Sequence, residues 1–152
     1  MYVLDCGHHV GYRLPDSVRR RPGTALRCRA CHLDGSRLWQ LALSILQPLW
    51  WWLGMLDCER VLIPGLQKRF DIYLQAWGIA IEVDGPQHFH GTCYGMPAEV
   101  QYAWDRRVDE ECKRVGQRLV RLHYADTCEW ASTVLGALYS QEVVIYTRSY
   151  GL

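Results

Sequence analysis

Lysine is scarce in this sequence, and the net charge is close to zero. Only Lys68 and Lys113 are lysines among the 17 basic residues, and the formal net charge at pH 7 is +1. The overall charge therefore gives no indication of a nucleic-acid partner. Arginine takes the place of lysine almost throughout, which has two explanations of equal weight: bidentate binding of phosphate groups, or a coding sequence rich in G and C.

The chain also lacks an uninterrupted hydrophobic segment of the kind that spans a membrane. Residues 38–56 carry no charged side chain, but polar residues interrupt them, and Pro48 should end a helix that begins near Arg37. Such a helix has about three turns, which is too short to cross a bilayer. We therefore predict a buried helix, followed by an aromatic turn at Trp50–Trp52.

Cysteine occurs in an odd number, so the cysteines cannot all pair with one another. With seven cysteines and no signal peptide before Cys6, we expect an intracellular, reducing compartment, cytoplasmic or nuclear. Metal binding is then favoured over a disulfide framework. The composition, 49% hydrophobic and 22% charged over 152 residues, is typical of one globular domain with room for a small appendage.

Residues 1–35 are predicted to be that appendage, a small zinc-binding element. A Cys-x-x-Cys pair presents two thiolates to one ion, and a Cys-x-His pair upstream can supply two more ligands. The predicted Cys3His ligands for Zn2+ are Cys6, His8, Cys28 and Cys31, with His9 as an alternative to His8. Because the segment has little apolar content, a metal would supply much of its folding free energy. A pair of reduced core cysteines is the alternative.

Arginines between the two pairs of ligands are candidates for nucleic-acid binding. On a loop fixed by a metal they would form a surface that contacts phosphate groups. The residues concerned are Arg19, Arg20 and Arg21, with Arg13 and Arg27 nearby. A solvated loop is an alternative of equal weight.

Residues 36–152 are predicted to form an α/β domain with a mixed sheet. Hydrophobic patterning indicates helices and strands; the helices are 36–47, 98–115 and 127–139, and the strands are 61–63, 72–74, 79–84, 119–124 and 142–146. The predicted buried side of the first helix is Leu38, Leu41, Ala42, Ile45 and Leu46, and that of the second is Trp104, Val108, Cys112 and Val115. Gly116 is a suitable C-cap, and Asp126 with Glu129 predicts a capping box.

Acidic residues lie at the ends of two central strands. Glu82 and Asp84 are two positions apart in the strand 79–84, so their side chains point to one face, and Asp71 opens the neighbouring strand. Three carboxylates at one strand edge repel one another, and Mg2+ or Mn2+ would offset that repulsion. The alternative is that one or more of these acids is solvated at a strand end.

His88 follows the second of these strands and can act as a base. Its ordinary pKa lies near neutrality, so it can take a proton from water, and Asp105 on the next helix could fix its tautomer. Arg106 and Arg107 would lie where a phosphate binds. Carboxylates, a metal ion, a base and arginines together suit hydrolysis of a phosphodiester. For His88 alone, a structural or surface role is the alternative.

The motifs of this region resemble those of the PD-(D/E)XK nuclease superfamily. In chain order they are DIYL from Asp71, IAIEVDGPQH from Ile79, DRR from Asp105 and GQRLVR from Gly116. They are most similar to the branch that contains the very-short-patch-repair endonucleases, related homing endonucleases and small restriction-endonuclease-like proteins. The resemblance implies a restriction-endonuclease-like mixed central sheet flanked by helices.

The same resemblance implies roles for five residues. Asp71 and Glu82 would bind Mg2+, and Asp84 would share the second catalytic strand with Glu82. His88 would be the base or would stabilise the transition state, with Asp105 as its partner.

The sequence departs from the family pattern at two places. The usual lysine two residues beyond the second acid is replaced by Asp84, as several members of this branch allow. Helix 36–47 has no glutamate of the kind that the branch often supplies there, and Gln40 or Gln47 is the nearest substitute.

The resemblance extends to the cysteines. Cys93 and Cys128 fall near positions where repair endonucleases of this branch carry structural zinc ligands, and His90 could join them. Residues 1–35 resemble zinc ribbons fused to nucleases of this kind, which would make them a DNA-docking element.

Two functions of different classes are therefore predicted. The first is an Mg2+-dependent endodeoxyribonuclease that acts on double-stranded DNA. The second is a catalytically degenerate nuclease-fold protein that serves as a zinc-dependent nucleic-acid-binding or protein-assembly module. Trp50–Trp52 are predicted to pack between domains or to form a protein-docking face such as a homodimer interface, with a base-stacking platform as the alternative.

Overall fold

The computed structural model describes residues 2–3, 9–10, 37–54, 56–57, 61–62, 68–90 and 97–151. Within the first 35 residues, β1 (Tyr2–Val3) pairs antiparallel with β2 (His9–Val10). The predicted zinc ligands and the arginines of this segment lie outside the described residues, so they stay predictions; they are Cys6, His8, Cys28, Cys31, Arg19, Arg20 and Arg21.

A mixed sheet flanked by helices forms the domain, which confirms the α/β prediction. The remaining strands are β3 (Leu56–Asp57), β4 (Val61–Leu62), β5 (Arg69–Phe70), β6 (Ile72–Leu74), β7 (Ile79–Asp84), β8 (Arg118–His123) and β9 (Val144–Tyr146). Strands β6, β7, β8 and β9 lie side by side in that order, with the two-residue β3 next to β6 at one edge. β6 and β7 are antiparallel, whereas β7, β8 and β9 are parallel.

Helices cover both sides of this sheet. They are α1 (Arg37–Leu46), α2 (Trp50–Leu53), α3 (Gln87–His90), α4 (Ala98–Val115) and α5 (Trp130–Ala137), with 3-10 turns at Gln47–Leu49, Tyr124–Glu129 and Arg148–Tyr150. Gly116 ends α4 in the left-handed conformation, with φ of 72°, as the predicted C-cap requires. No helix in the described ranges is long and apolar enough to cross a membrane.

Alternation along β7 separates the two sides of the sheet. Ile79, Ile81 and Val83 belong to the larger core, which contains side chains of α1 and α5. Ala80 belongs to the smaller core with Cys112 of α4. Since side chains alternate along a strand, Glu82 and Asp84 also face the α4 side. The site is thus built between the sheet and α4.

Two predicted helix faces are partly wrong. In α1, Leu41 is 39% exposed and Leu43 is buried in its place. In α4, Trp104 and Val115 are 65% and 43% exposed, although both were predicted to be buried. The buried residues of α4 are Asp109 and Cys112. Asp109 takes an inward position because it binds a buried arginine of β8, a tertiary contact that outweighs the hydrophobic pattern.

The predictions for two further segments also need correction. Asp126 does not cap the last helix, because its carboxylate binds Ser149, and a 3-10 turn occupies the segment before α5. Near the start of the domain, β4 pairs with β5 and not with the central sheet. The edge of that sheet next to β6 is occupied by β3 instead.

Candidate active site

Glu82 is buried with half of its carboxylate unsatisfied. Its side chain is in the α4-facing row of β7 and is 5% exposed. Oε2 lies 3.0 Å from Lys68 Nζ, but Oε1 has no hydrogen-bond partner among the described residues. Burial and the nearby charge of Asp71 raise the pKa of Glu82 to about 7, although Lys68 acts in the opposite direction. Such an oxygen is a candidate ligand for a cation.

Asp71 lies at the bend between β5 and β6, beside Glu82. Its Oδ2 accepts a hydrogen bond of 3.0 Å from the backbone N–H of Val83, which ties the bend to β7. The indole of Trp39 in α1 donates to the Asp71 carbonyl at 3.4 Å. Helix α1, which carries no glutamate, therefore contacts Asp71 through the indole of Trp39. Asp71 and Glu82 together form a carboxylate pair.

Asp84 has very different surroundings from Glu82. It is 1% exposed, and its Oδ2 accepts from Arg121 Nη1 at 2.7 Å and from the Tyr150 hydroxyl. Oδ1 makes no hydrogen bond within the described residues and faces His88 Nδ1 at 3.5 Å. Burial alone would raise the pKa of Asp84, but Arg121, His88 and Tyr150 together lower it below its ordinary value. Asp84 is therefore held as a carboxylate.

His88 and Asp105 lie within hydrogen-bond distance, as the sequence predicts. The distance from His88 Nδ1, in α3, to Asp105 Oδ2, in α4, is 2.8 Å. Gln101 fixes the other oxygen of Asp105 at 3.2 Å. Burial lowers the pKa of His88, but Asp105 and Asp84 outweigh it, so the pKa is raised. Because a carboxylate only accepts, Nδ1 carries the proton, and Nε2 is the nitrogen that can accept one.

Arg121 of β8 organises this half of the site, and sequence reasoning missed it. Its side chain is 1% exposed. Nε donates to Asp109 at 2.6 Å, Nη1 to Asp84, and Nη2 to the Asp105 carbonyl at 3.2 Å. The signal in the sequence was a charged residue in the middle of the apolar strand RLVRLH, since a fully buried arginine requires acidic partners.

The two arginines predicted to lie beside a phosphate have different positions. Arg106 packs its guanidinium over the rings of Tyr102 and Tyr146, at 5.1 and 5.2 Å. Arg107 is exposed and lines a shallow surface depression with Trp104 and Glu99. Because Asp105 and Asp109 face the sheet, Arg107 belongs to the outer side of α4. The predicted phosphate contacts of Arg106 and Arg107 stay predictions.

No second metal cluster is formed by the described cysteines and histidines. Cys128 is exposed and unpaired, and His90 Nε2 lies 3.2 Å from the Tyr124 hydroxyl. Cys93 lies outside the described residues. More generally, no three His, Cys, Asp or Glu side chains in the described ranges are grouped so as to hold a metal ion. The active-site candidate is thus a carboxylate pair and not a triad.

Trp50, Trp51 and Trp52 are exposed on the surface at α2. Their exposed fractions are 53%, 74% and 55%. Trp50 stacks on Trp51 with ring centroids 3.9 Å apart, and the Trp77 indole donates to the Trp52 carbonyl. The predicted packing against protein or a second copy of the chain stays a prediction.

No protein-family model, curated protein or solved structure matches this chain.

Proposed function

We propose that the domain is a restriction-endonuclease-like nuclease that hydrolyses phosphodiester bonds in double-stranded DNA with Mg2+ or Mn2+. The observation that supports this most directly is the buried Oε1 of Glu82 beside Asp71, which has no hydrogen-bond partner within the described ranges. An unsatisfied buried carboxylate oxygen is costly, and a cation would remove that cost. Glu82 lies on the strand that leads to His88, and Asp71 lies beside it at the bend before β6, so cation binding and proton transfer would be adjacent.

The donor set suits Mg2+. This ion keeps several waters and is commonly held by one or two carboxylates together with substrate phosphates. Asp71 and Glu82 would be the protein ligands, and no third carboxylate is needed. When bound, the ion would stabilise negative charge on the phosphate and lower the pKa of a bound water.

His88 would accept a proton through Nε2. Asp105 holds Nδ1 at 2.8 Å, and Gln101 holds Asp105 in turn, so the imidazole has a fixed orientation and tautomer. Because the pKa of His88 is raised, the neutral, basic form increases as pH rises through a window above the ordinary value of 6.5. Activity that requires this base should therefore increase with pH in that range.

Lys68 gives the site an ammonium group that the sequence pattern did not predict. The family's lysine position two residues after Glu82 is taken by Asp84. Lys68 approaches the same carboxylate from the residue before β5, with Nζ 3.0 Å from Glu82 Oε2. Its charge would favour a phosphate placed against the carboxylate pair.

The N-terminal segment completes the proposal. A Zn2+ site at Cys6, His8, Cys28 and Cys31 would stabilise a DNA-docking element. Arg19, Arg20 and Arg21 between the ligands would contact phosphate groups.

Nicking of supercoiled plasmid in the presence of Mg2+ or Mn2+ tests this function. Asp71→Ala should abolish cleavage by removing a ligand, and His88→Ala should reduce it by about 10²- to 10⁴-fold by removing the base. Both variants should still bind DNA in a gel-shift assay. His90→Ala is the matched control, because His90 is on the same short helix but pairs with Tyr124. Unchanged cleavage by Asp71→Ala and His88→Ala would refute the site assignment.

A second function is favoured by one observation. Lys68 already neutralises Glu82, and the described residues offer no three-ligand cluster. This is the arrangement expected of a nuclease fold that binds nucleic acid or assembles with protein without cutting. Retained DNA binding with no nicking in either Mg2+ or Mn2+ would favour this second function.

A further inference from the structure

The residues that follow β9 return to the carboxyl end of β8. Thr147 accepts a hydrogen bond through Oγ1 from the His123 N–H at 2.9 Å, and its own N–H donates to the Arg121 carbonyl at 3.2 Å. Asp126 then binds both the N–H and the hydroxyl of Ser149, at 2.8 and 2.5 Å. These contacts fix the 3-10 turn at Arg148–Tyr150 against the end of the sheet.

Tyr150 is directed by this turn into the candidate site. Its ring packs against Phe89, which follows His88 in α3, and against His123, with centroid distances of 5.6 and 5.2 Å. Its hydroxyl donates to Asp84 Oδ2, the oxygen that also accepts from Arg121. Tyr150 lies 66 positions from Asp84 in the sequence, and no local pattern connects the two.

We propose that Tyr150 is a positioning residue of the candidate site, which with Arg121 fixes the Asp84 carboxylate beside His88. Two donors on Oδ2 set the rotation of the carboxylate, so that Oδ1 faces His88 Nδ1 at 3.5 Å. Tyr150 itself does not touch the imidazole through any hydrogen bond in the described structure. Its catalytic significance rests on the proposed function, whereas its positioning role can be tested without it.

The charged groups that face His88 come from three elements. They are Asp84 of β7, Asp105 of α4 and Arg121 of β8. The hydrogen bond from the Tyr150 hydroxyl helps to lower the pKa of Asp84, because a donor stabilises the carboxylate. Without that hydroxyl, Asp84 keeps Arg121, but its carboxylate is more basic and is less fixed in rotation. The imidazolium is then better stabilised, so the pKa of His88 should rise.

Tyr150→Phe, which removes only the hydroxyl, tests this inference. We expect the NMR titration midpoint of His88, assigned by comparison with His88→Gln, to rise by about half a pH unit. If the protein nicks DNA, the low-pH limb of the rate profile should shift by the same amount, with the lower rate at neutral pH appearing in kcat and not in KM.

Tyr146→Phe is a closely matched control. Its hydroxyl donates at 2.7 Å to Asp109, which binds Arg121 but does not contact His88. This variant loses the same chemical group from the same network, so its His88 midpoint should stay within about 0.1 pH unit of wild type.

Ser149→Ala gives a second way to weaken the same contact if Tyr150→Phe fails to fold. It removes one anchor of the turn on Asp126, so we expect a smaller shift of the His88 midpoint in the same direction. The positioning role would be overturned if the His88 midpoint did not change in Tyr150→Phe and Ser149→Ala. It would also be overturned if Tyr146→Phe shifted that midpoint by the same amount as Tyr150→Phe. The NMR measurement needs no cleavage. A protein that does not nick DNA but shows the shift would therefore contradict the nuclease function alone.

Discussion

Glu82 and Asp84 lie two residues apart on one face of β7 and are 5% and 1% exposed, yet they have opposite electrostatics. Burial and Asp71 raise the pKa of Glu82 to about 7, whereas Arg121 outweighs burial and lowers the pKa of Asp84. Equal burial therefore does not determine the charge of a carboxylate on this strand. The partner that each one meets from a distant part of the chain determines it.

The two halves of the site differ in completeness as a result. On the Asp84 side, Arg121 joins three acidic residues of two elements, and Tyr146 and Tyr150 supply further donors. On the Glu82 side, one partly exposed lysine faces the carboxylate, and Oε1 has no hydrogen-bond partner in the described part of the chain. A ligand would therefore add most to the Glu82 side, whereas the Asp84 side holds the shape of the site.

Replacing Arg121 should have the largest effect on this comparison. In Arg121→Gln, Asp84 and Asp109 would be buried without their counter-charge, so we expect the free energy of unfolding at neutral pH to fall by about 3–5 kcal/mol. Urea denaturation measures this loss. Arg114→Gln breaks an exposed ion pair with Glu111 and should leave the midpoint almost unchanged. Similar urea midpoints for Arg121→Gln and Arg114→Gln would mean that Arg121 does not stabilise the Asp84 side.

Glu82→Gln should change how the free energy of unfolding depends on pH, because it removes the buried carboxyl group of the Glu82 side. The pKa of Glu82 is about 7 in the folded protein against 4.5 ordinarily, so the folded state binds more protons between these values. Stability from this group is therefore present at low pH and lost as pH rises through that window, by about 3 kcal/mol. The glutamine is neutral throughout, so the variant should lack this loss.

Urea denaturation at pH 5 and pH 8 measures that difference. Wild type should lose stability between the two pH values relative to Glu82→Gln. Glu110→Gln, an exposed substitution on α4, should keep the pH dependence of wild type. An identical pH dependence for wild type and Glu82→Gln would mean that Glu82 is not strained by its surroundings.

Local pattern was sufficient for much of the fold. β6 and β7 run over Ile72–Leu74 and Ile79–Asp84, and α4 over Ala98–Val115, as predicted, because alternation and capping are properties of neighbouring residues. The contact between His88 and Asp105 was also expected, from a histidine just after the strand and an acidic residue on the following long helix. Even so, the sequence did not indicate that Asp84 would be drawn away from the carboxylate pair.

The residues that were missed all reach the site from elements other than β7. Arg121 lies opposite Glu82 in the parallel register of β7 and β8, Tyr150 comes from beyond β9, and Lys68 from before β5. Their positions depend on strand order and register, which hydrophobic periodicity does not specify. The exposed Trp104 and the inward Asp109 have the same origin, because the buried guanidinium determined which face of α4 turned inward.

Lys68→Met should have the smallest effect on stability, and it tests whether Lys68 is the counter-charge of the Glu82 side. Lys68 is 28% exposed and lies 3.0 Å from Glu82. Its removal raises the pKa of Glu82 above about 7, so the charged carboxylate becomes harder to maintain. At pH 8 the free energy of unfolding should fall by about 1 kcal/mol, whereas at pH 5, where Glu82 is protonated in the folded protein, the loss should nearly disappear.

Lys113→Met is the natural control, because Lys113 is the only other lysine and forms an exposed pair with Glu110. It should change stability little at either pH, since both partners are solvated. An equal loss at pH 5 and pH 8 for Lys68→Met would show that the ammonium stabilises the fold through its contact with the Phe70 ring, 5.8 Å away, and not through Glu82. In that case Lys68 would not neutralise the carboxylate pair, and the Glu82 side would lack an effective counter-charge from Lys68.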